Sequence, residues 1–427
     1  MTSVVTVVIG TQFGDEGKGK IIDYLARDAD FVVRFHGGAG AGHTVVNNFG
    51  TFKMHLIPCG IFNKNVKCVI ANGVMVDPEI LLQEIDSLKR AGIRTKGRLF
   101  VSSRAHVVLP YHKILDGIFD EAKGKLKTAT TGRGNGPVHA DKTSYYGILV
   151  QDLLDKKLFG AKLEKILNVK NKIIKEFGGK ELSLPKILRD YSIFFSKLRP
   201  FIANTFEILN GASEKKKTIL FEGAHGLYLD NDWGTYPYVT ASSTLPANIG
   251  AGAGVSPSKI DSVVGIVKAY TTRIDSGAGP LPTEFFGKLA DAIRGWGGEF
   301  GATTGRPRRI GWLDLIQLKL AVKLAGINYL TLTKVDVLSS LRTVPVCTNY
   351  KLGGRTVDYL DLNAEQLKKV VPIYKDLPGW AEIGDVRKYN DLPKELKNYV
   401  EMIEKFVGVP VKILSIGPER NQTIIRG

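Results

Sequence analysis

Short runs of apolar residues recur along the chain, and each has the length of a buried β-strand. They contain four to seven residues and are rich in Val, Ile and Leu, as strands covered on both faces of a sheet usually are. Between several of them the apolar residues repeat at helical spacing instead, for example over residues 78–91. The predicted strands cover residues 4–9, 31–35, 66–70, 218–221, 263–269, 329–332 and 411–414.

The alternation of these strands with helices predicts an α/β fold whose large, mainly parallel sheet is flanked by helices. No internal repeat or clear linker divides the sequence, so we predict one domain over residues 1–427, with a possible helical subdomain over residues 150–215. Ligands of such folds bind at the carboxyl ends of the strands. Glycine-rich or polar segments follow several of the predicted strands, and they mark the expected site.

The net charge of +17 is the feature of the composition that bears most on function. It fits either a nucleic-acid-binding protein or a site for several phosphates combined with a lysine-rich surface. Many lysines fall within residues 156–180, opposite the apolar face of a predicted helix, and no basic run is interleaved with aromatics. We therefore expect no nucleic-acid partner, and the lack of a long apolar run predicts no membrane association.

The cysteines and the N-terminus bear on location. Cys59, Cys68 and Cys347 lack metal-ligand spacing and are typical of a reduced protein. Charged residues at positions 15–20 interrupt the N-terminus too early for a signal peptide, so we expect a cytoplasmic protein.

The segment 10–20 predicts a phosphate cradle with unusual chemistry. It is a glycine-rich turn between a strand and a helix, where backbone N–H groups and the helix dipole favour an anion. It departs from the common G-x-x-x-x-G-K-[ST] pattern at Gln12 and Gly19. Asp15 and Glu16 lie inside it, and carboxylates repel phosphate. They therefore imply a metal to hold or a proton to take.

Further loops carry candidate chemistry. Residues 37–44 form a small-residue loop that ends in His43, a candidate general acid, and residues 130–137 add hydroxyls and an arginine. Residues 301–309 place three arginines within four positions, which suits phosphates or carboxylates. Lys334 and Asp336 follow a strand, and in combination with a phosphate cradle they suggest a reader of guanine.

The residues of these segments, and the order of the segments along the chain, resemble those of the adenylosuccinate synthetase family, whose members use GTP to join aspartate to IMP. The resemblance covers nearly the whole chain. It implies a core like that of P-loop NTPases with helical and loop insertions, and a ligase that forms a C–N bond through a 6-phosphoryl-IMP intermediate in the first committed step of AMP synthesis. It also implies one Mg²⁺ per active site and a homodimer. The matching segments are residues 10–20, 41–44, 130–137, 222–240, 268–284, 301–314, 333–338, 376–380 and 415–418.

The resemblance also implies a role for individual residues. Asp15 takes the N1 proton of IMP, His43 stabilises the transferred phosphoryl group and acts as an acid, and Lys18 and His225 complete the catalytic set. The Asp15 carboxylate and the backbone carbonyl of Gly42 hold Mg²⁺. The implied GTP contacts are Gly14, Asp15, Glu16, Gly17, Lys18, Gly19, Lys20, Gly42, His43, Thr44, Arg308, Lys334, Val335, Asp336, Ser415, Ile416 and Gly417. The implied IMP contacts are Asp15, Glu16, Gly17, Lys18, Gly40, Ala41, Gly42, His43, Thr131, His225, Thr240 and Arg306. The implied aspartate contacts are Ala302, Thr303, Thr304, Gly305, Arg306, Pro307 and Arg308.

The departures from the family pattern all concern the IMP side. Gly40 stands where the family usually has an asparagine near the nucleotide, and His225 stands where a glutamine contacts the purine. Tyr145 aligns with an arginine that reaches across a dimer interface to the phosphate. A two-residue expansion, Asp275-Ser276, lies in the loop near the ribose.

These departures leave the acceptor open. IMP bound through compensating contacts is one interpretation, and the same ligase chemistry on another 6-oxopurine nucleotide, such as dIMP or dGMP, is the alternative. A GTP-binding regulatory module without turnover is a hypothesis from another class, against which the intact Asp15, Lys18, His43 and Arg306 argue.

Overall fold

The structure confirms the predicted α/β class. The computed structural model describes residues 4–128, 130–274, 277–301, 305–339, 341–359 and 362–426. Within these ranges the strands are β1 Val5–Gly10, β2 Phe31–Arg34, β3 Gly37–Gly38, β4 His43–Asn47, β5 Gly50–Met54, β6 Lys67–Ile70, β7 Val74–Val76, β8 Leu99–Ser102, β9 His106–Val107, β10 Ile202–Ala203, β11 Ile219–Glu222, β12 Ser262–Lys268, β13 Tyr270–Arg273, β14 Arg309–Asp314, β15 Tyr329–Thr333, β16 Thr343–Leu352, β17 Arg355–Val357, β18 Val371–Pro378, β19 Val411–Ser415 and β20 Thr423–Ile425.

Helices cover the sheet, and none of those in the described residues combines the length and apolar character of a membrane span. Helix α2 begins where the sequence predicts it, because Asp77 accepts a hydrogen bond from the backbone N of Glu79 at 3.1 Å. The described helices are α1 Lys18–Leu25, α2 Pro78–Arg90, α3 Pro110–Ala122, α4 Asn135–Thr143, α5 Lys156–Glu176, α6 Leu184–Leu198, α7 Thr205–Glu214, α8 Ile249–Ala253, α9 Lys288–Gly297, α10 Leu315–Ala325, α11 Ala364–Leu367 and α12 Lys394–Val407.

The central sheet contains all seven strands predicted from the apolar runs, each within one residue of its predicted ends. In the described part of the chain it has ten strands, in the order β10-β8-β6-β2-β11-β1-β12-β15-β19-β20. Neighbours are parallel except for β19 and β20. Val7 and Ile9 pack into one apolar core and Val8 into another, so β1 is covered on both faces. This double burial explains why these strands read as continuous apolar runs.

The segment 150–215 supplies helices α5, α6 and α7. Leu163 and Ile166 of α5 are buried in the same apolar core as Val32 of β2 and Ile70 of β6. The apolar face of the lysine-rich helix therefore belongs to the core on one face of the central sheet, where α5 contacts α3 and α6, and most of its lysines are exposed.

Smaller sheets surround the carboxyl edge of the central one. β4 and β5 form a hairpin that begins with His43, and β3 pairs with β7 beside it. β13, β14, β16, β17 and β18 make a five-stranded sheet next to the loops after β12 and β15. These additions wall the edge at which the sequence predicts the site.

Candidate active site

The loop between β1 and α1 turns tightly and carries a carboxylate at its tip. Gly14 and Gly17 have φ angles of 88° and 89°, and Asp15 between them has φ 60°, which is uncommon for a residue with a side chain. Arg308 donates a hydrogen bond from Nε to Oδ2 of Asp15 at 2.7 Å. The predicted base is therefore held on a left-handed turn by an ion pair.

Glu16 faces into the same loop. Its Oε1 accepts hydrogen bonds from the backbone N of Gln12 at 3.1 Å and of Gly14 at 2.9 Å, and its Oε2 lies 2.6 Å from Nζ of Lys18. A Cβ added at Gly10 would approach the Glu16 carboxylate to 2.3 Å. Glu16 thus fills the loop and fixes its shape, while its own contact with a nucleotide stays a prediction.

A buried chain of charges fixes Arg308 behind Asp15. Arg308 NH1 lies 2.6 Å from Oε2 of Glu299, and Lys268 Nζ lies 3.0 Å from Oε1 of the same carboxylate. Burial alone would raise the pKa of Glu299, but the charges of Lys268 and Arg308 lower it to about 2. Glu299 therefore stays ionised, and it holds the guanidinium that orients Asp15.

His43 pairs with a carboxylate at the end of β11. Its Nδ1 is 2.6 Å from Oε1 of Glu222, whose Oε2 accepts a hydrogen bond from the backbone N of Cys59 at 2.8 Å. This pairing leaves Nε2 for a ligand, and Nε2 is buried with no hydrogen-bond partner among the described residues. Burial lowers the pKa of His43 to about 4, so the ring is neutral at pH 7.

One cavity, which we call the acceptor cavity, brings together most of the residues predicted to contact IMP. Phe13, Leu229, Ile274 and Gly301 complete its lining. The predicted site residues that line it are Gly14, Asp15, Lys18, Gly40, Ala41, Gly42, His43, Thr131 and His225.

His225 enters this cavity in a constrained geometry. Its φ is 60°, and its Nδ1 is buried without a hydrogen-bond partner in the described residues. Burial lowers the pKa of His225 to about 3, so it is neutral at pH 7. Buried polar atoms are normally paired. The unpaired nitrogens of His43 and His225 are therefore candidates for contacts with a ligand.

Close packing joins the first two loops. A Cβ added at Gly19 would lie 2.8 Å from the backbone O of Thr44 and 3.0 Å from Cβ of His43. Helix α1 therefore rests directly on β4, and glycine at position 19 permits the contact. Gly17 faces Thr333 at the end of β15.

The predicted guanine reader lies at a second cavity on the same edge. Asp336 lines it with Trp296, Ile383 and Ile416. Asp336 Oδ1 is buried and unpaired within the described residues, and burial raises the pKa of this carboxyl. A carboxylate oxygen beside an exposed indole suits a base that offers N–H donors and an aromatic face.

Hydrogen bonds hold the walls of this second cavity. Lys334, with φ 62°, donates from Nζ to the backbone O of Gly297 at 2.7 Å, and Trp380 Nε1 donates to the backbone O of Val335 at 3.0 Å.

Lys20 turns away from the phosphate cradle and binds the loop at 415–417. Its Nζ donates to Oγ of Ser415 and to the backbone O of Gly417 and Gln422, each at 2.7 Å. Burial lowers its pKa to about 7. The structure thus gives Lys20 a role in positioning the loop whose Ile416 lines the second cavity, a role that the sequence does not reveal.

The predicted Mg²⁺ ligands line one cavity, and their chemistry fits the ion. Asp15 offers a carboxylate and Gly42 a backbone carbonyl, the oxygen donors that Mg²⁺ prefers. His43, Cys59 and Glu222 also form a cluster with metal-ligand spacing. Burial raises the pKa of the Cys59 thiol well above its usual value, so the sulfur stays protonated and is a poor ligand.

Other predicted contacts lie at the rim or outside the description. The backbone N of Thr240 bonds to the backbone O of Leu229, a residue of the acceptor cavity. Gly305, Arg306 and Pro307 are exposed next to the buried Arg308. The remaining predicted positions, Asp275, Ser276, Ala302, Thr303 and Thr304, lie outside the described residues.

Sequence reasoning missed three residues of the site. Glu222 and Glu299 are acidic residues with fully buried side chains, and Asn135 begins α4 beside the acceptor cavity. A charged residue that ends an apolar strand, as Glu222 does, is a signal that points to a site. Nothing local in the sequence distinguishes Asn135.

The fold and the site define a nucleotide-dependent α/β enzyme in which a carboxylate and a histidine face one acceptor cavity. The family model for adenylosuccinate synthetase matches residues 7–424. An adenylosuccinate synthetase of Clostridium novyi (strain NT) is 45% identical over 423 residues, which are 99% of each chain. The chain belongs to the adenylosuccinate synthetase family. This membership supports GTP-dependent ligation of aspartate to IMP.

Solved structures agree. The fully ligated adenylosuccinate synthetase of Plasmodium falciparum superimposes with a TM-score of 0.94 at 35% identity, covering 99% of this chain and 100% of that one. A succinoaminodeoxyadenylate synthetase of cyanophage S-2L, bound to dGMP and to dATP as an energy donor, gives a TM-score of 0.62 at 20% identity, covering 100% and 96%. The second likeness extends to the fold alone, so the dIMP or dGMP alternative is not favoured.

Proposed function

We propose that the cavity around Asp15 and His43 joins L-aspartate to C6 of IMP while GTP is converted to GDP and phosphate. The observation that carries this proposal is the meeting of the Asp15 carboxylate and the His43 ring with two glycine-rich loops in one cavity. The glycines let a nucleotide approach the backbone, and the two side chains supply a base and an acid. Family membership supplies the identity of the substrates.

Asp15 acts as the base of the first step. It takes the proton from N1 of IMP, which leaves negative charge on the 6-oxygen. This oxygen attacks the γ-phosphorus of GTP, and GDP departs. Arg308 holds the Asp15 carboxylate by its Nε contact at 2.7 Å. Glu299 holds Arg308 in turn, so the base keeps one orientation without help from the substrate.

His43 serves the transferred phosphoryl group. Glu222 accepts from Nδ1 and leaves Nε2 facing the ligand side. In the second step the aspartate amine attacks C6, the phosphate leaves with the 6-oxygen, and the amine loses a proton. The anionic substrates oppose the effect of burial on the His43 pKa, so we propose that the ring gains its proton when they bind.

Asp15 and Gly42 would hold Mg²⁺, which supplies positive charge to the phosphoryl group when it is bound. Asp336 reads guanine from the second cavity, and residues 415–417 close over the base with Lys20 as their anchor. Residues 302–308 would bind L-aspartate, and of these residues 305–308 lie in the described part of the chain.

We also propose that the protein is a cytoplasmic homodimer, on the basis of two exposed tyrosines and three buried cysteines. Tyr145, two residues beyond the end of α4, is 96% exposed and Tyr146 is 42% exposed, and a partner subunit would cover this pair of aromatic side chains. The three cysteines are free and buried, as in a reduced compartment. Sedimentation velocity of the wild type and of Y145E/Y146E tests the interface, and dimers in both would argue against it.

The test of function is a reconstituted assay with omissions. The protein is incubated with IMP, aspartate, GTP and Mg²⁺, and phosphate and adenylosuccinate are measured as each component is left out in turn. We expect equal amounts of both products, and neither without any one component. Phosphate release that continues without IMP would point instead to a GTPase module.

A further inference from the structure

The space beside Gly40 is filled from another segment of the chain. A Cβ added at Gly40 would lie 2.7 Å from Nδ2 of Asn135 and 3.0 Å from Oγ1 of Thr131. A Cβ added at Gly38 would lie 2.4 Å from Oδ1 of Asn135. The Asn135 amide therefore rests against the backbone of the second loop. It occupies the volume that a side chain at position 40 would need.

The local structure holds Asn135 in this place. Gly134, with φ 76°, turns the chain into α4, and its backbone N donates to Oδ2 of Asp116 on α3 at 2.8 Å. A Cβ at Gly134 would approach Cβ of His112 to 2.8 Å, so α3 and the start of α4 are in direct contact. The backbone O of Asn135 is 2.7 Å from Nδ1 of His139 one turn later.

This packing does not use the hydrogen-bonding capacity of the Asn135 side chain. Its Oδ1 is buried and makes no hydrogen bond to any described residue. Its Nδ2 and the Thr131 hydroxyl approach one point next to Gly40, and both Thr131 and Gly40 line the acceptor cavity. The first turn of a helix also favours an anion. The Nδ2 donor, the hydroxyl donor and the helix start, which converge in this way, suit the oxygens of a phosphate group, whereas the acceptor Oδ1 takes no part in that contact.

We propose that Asn135 is a contact of the acceptor nucleotide. It supplies from α4 the amide that relatives carry at position 40, and its Nδ2 donates to the phosphate of the nucleoside monophosphate. Gly40 and Asn135 then form a compensating pair. The proposal rests on the proposed function, because it assumes that the cavity takes IMP.

Four variants test the pair, with Thr143→Ala, an exposed position on α4, as the matched control. N135A should raise KM for IMP by ~10–100-fold, since the hydrogen bond that it removes ends on a charged group. KM for GTP and for aspartate should stay within about twofold. N135D should be worse than N135A, because a carboxylate repels the phosphate. G40N alone should bind IMP more weakly, because the new side chain collides with Asn135. The double variant G40N/N135A should recover most of the IMP affinity.

Each other outcome overturns the pair. If N135A and N135D bind IMP as the wild type does, Asn135 is not a contact. If G40N/N135A is no better than N135A, the two positions do not compensate. If N135A changes all three KM values alike and lowers the melting temperature, its role is structural. A wild type that makes no adenylosuccinate would count against the proposed function itself. In that case calorimetric titration of IMP into wild type and N135A still decides whether the contact exists.

Discussion

The guanine side and the acceptor side of this active site are built in different ways. On the guanine side, side chains tie one loop to another, as Lys20 does with Ser415 and Lys334 with Gly297. On the acceptor side, the walls are glycine backbone at positions 40 and 42, and side chains reach the space above them from other segments.

The difference bears on how each side of the site tolerates a substitution. A loop held by several hydrogen bonds from one side chain, as Lys20 holds the loop at 415–417, loses all of them when that residue changes. A space walled by glycine can be filled from another segment, as the Asn135 side chain does beside Gly40. The predictions that follow probe this contrast, from the largest expected effect to the smallest.

Replacing the base should stop turnover and leave the guanine side intact. D15N removes the proton acceptor and one proposed Mg²⁺ ligand, so kcat should fall ~10²–10⁴-fold. GTP binding, measured by calorimetry without IMP, should change far less. D28N, an exposed carboxylate beyond α1, is the control. A kcat within tenfold of wild type would mean that Asp15 is not the base.

Removing the Glu222 charge beside His43 should impair the orientation of the His43 ring and leave GTP binding nearly unchanged. In E222Q the ring loses the carboxylate that selects its tautomer, so we expect kcat to fall ~10²-fold while KM for GTP changes little. The proton uptake that accompanies substrate binding at pH 7, measured by calorimetry in two buffers, should also disappear. Unchanged proton uptake would show that Glu222 does not control His43.

On the guanine side, D336N should weaken discrimination between nucleoside triphosphates. An amide meets one guanine N–H donor with a donor of its own, so kcat/KM for GTP should fall by about 10²-fold while that for ITP falls less. If GTP, ITP and XTP keep their order, Asp336 does not read the base. A variant of Trp296, which faces the same cavity, would then be the next to examine.

The smallest effect is expected at His225, where the acceptor side should tolerate the glutamine of the family. Both side chains are neutral at pH 7, so KM for IMP should stay within about threefold in H225Q.

The free energy of unfolding should depend on His225 at acidic pH instead. The pKa of His225 in the folded protein is about 3, below the 6.5 of an unfolded chain. Between these values the unfolded state binds more protons, so stability falls as pH falls below 6.5.

H225Q should therefore lose less stability than the wild type between pH 7.5 and pH 5, by up to about 2 kcal/mol. Urea unfolding at the two pH values measures the difference. The buried His36 and His43 keep part of the acid sensitivity in both proteins. A variant as acid-sensitive as the wild type would mean that His225 has no such part in stability.

The sequence predicts this fold well because the patterns that locate its strands and loops lie within short segments of the chain. Apolar runs covered on both faces locate the seven strands, and glycine spacing locates the loops at their carboxyl ends. The site is less predictable because its contacts are long-range. Glu222 lies 179 positions from His43, with which it pairs. The direction of Lys20, towards the loop at 415–417, depends equally on how distant strands are ordered in the sheet.

A panel of acceptors tests most directly whether the acceptor side has changed its contacts without changing its substrate. Phosphate release is measured with IMP, dIMP, GMP, dGMP and XMP, each with aspartate, GTP and Mg²⁺. If Asp15 is the base at N1, as we propose, it also lies near C2, where a 2-amino group would crowd the carboxylate or bond to it unproductively. We predict the highest kcat/KM for IMP, followed by dIMP. High activity with GMP or dGMP and little with IMP would contradict both the substrate and the role of Asp15.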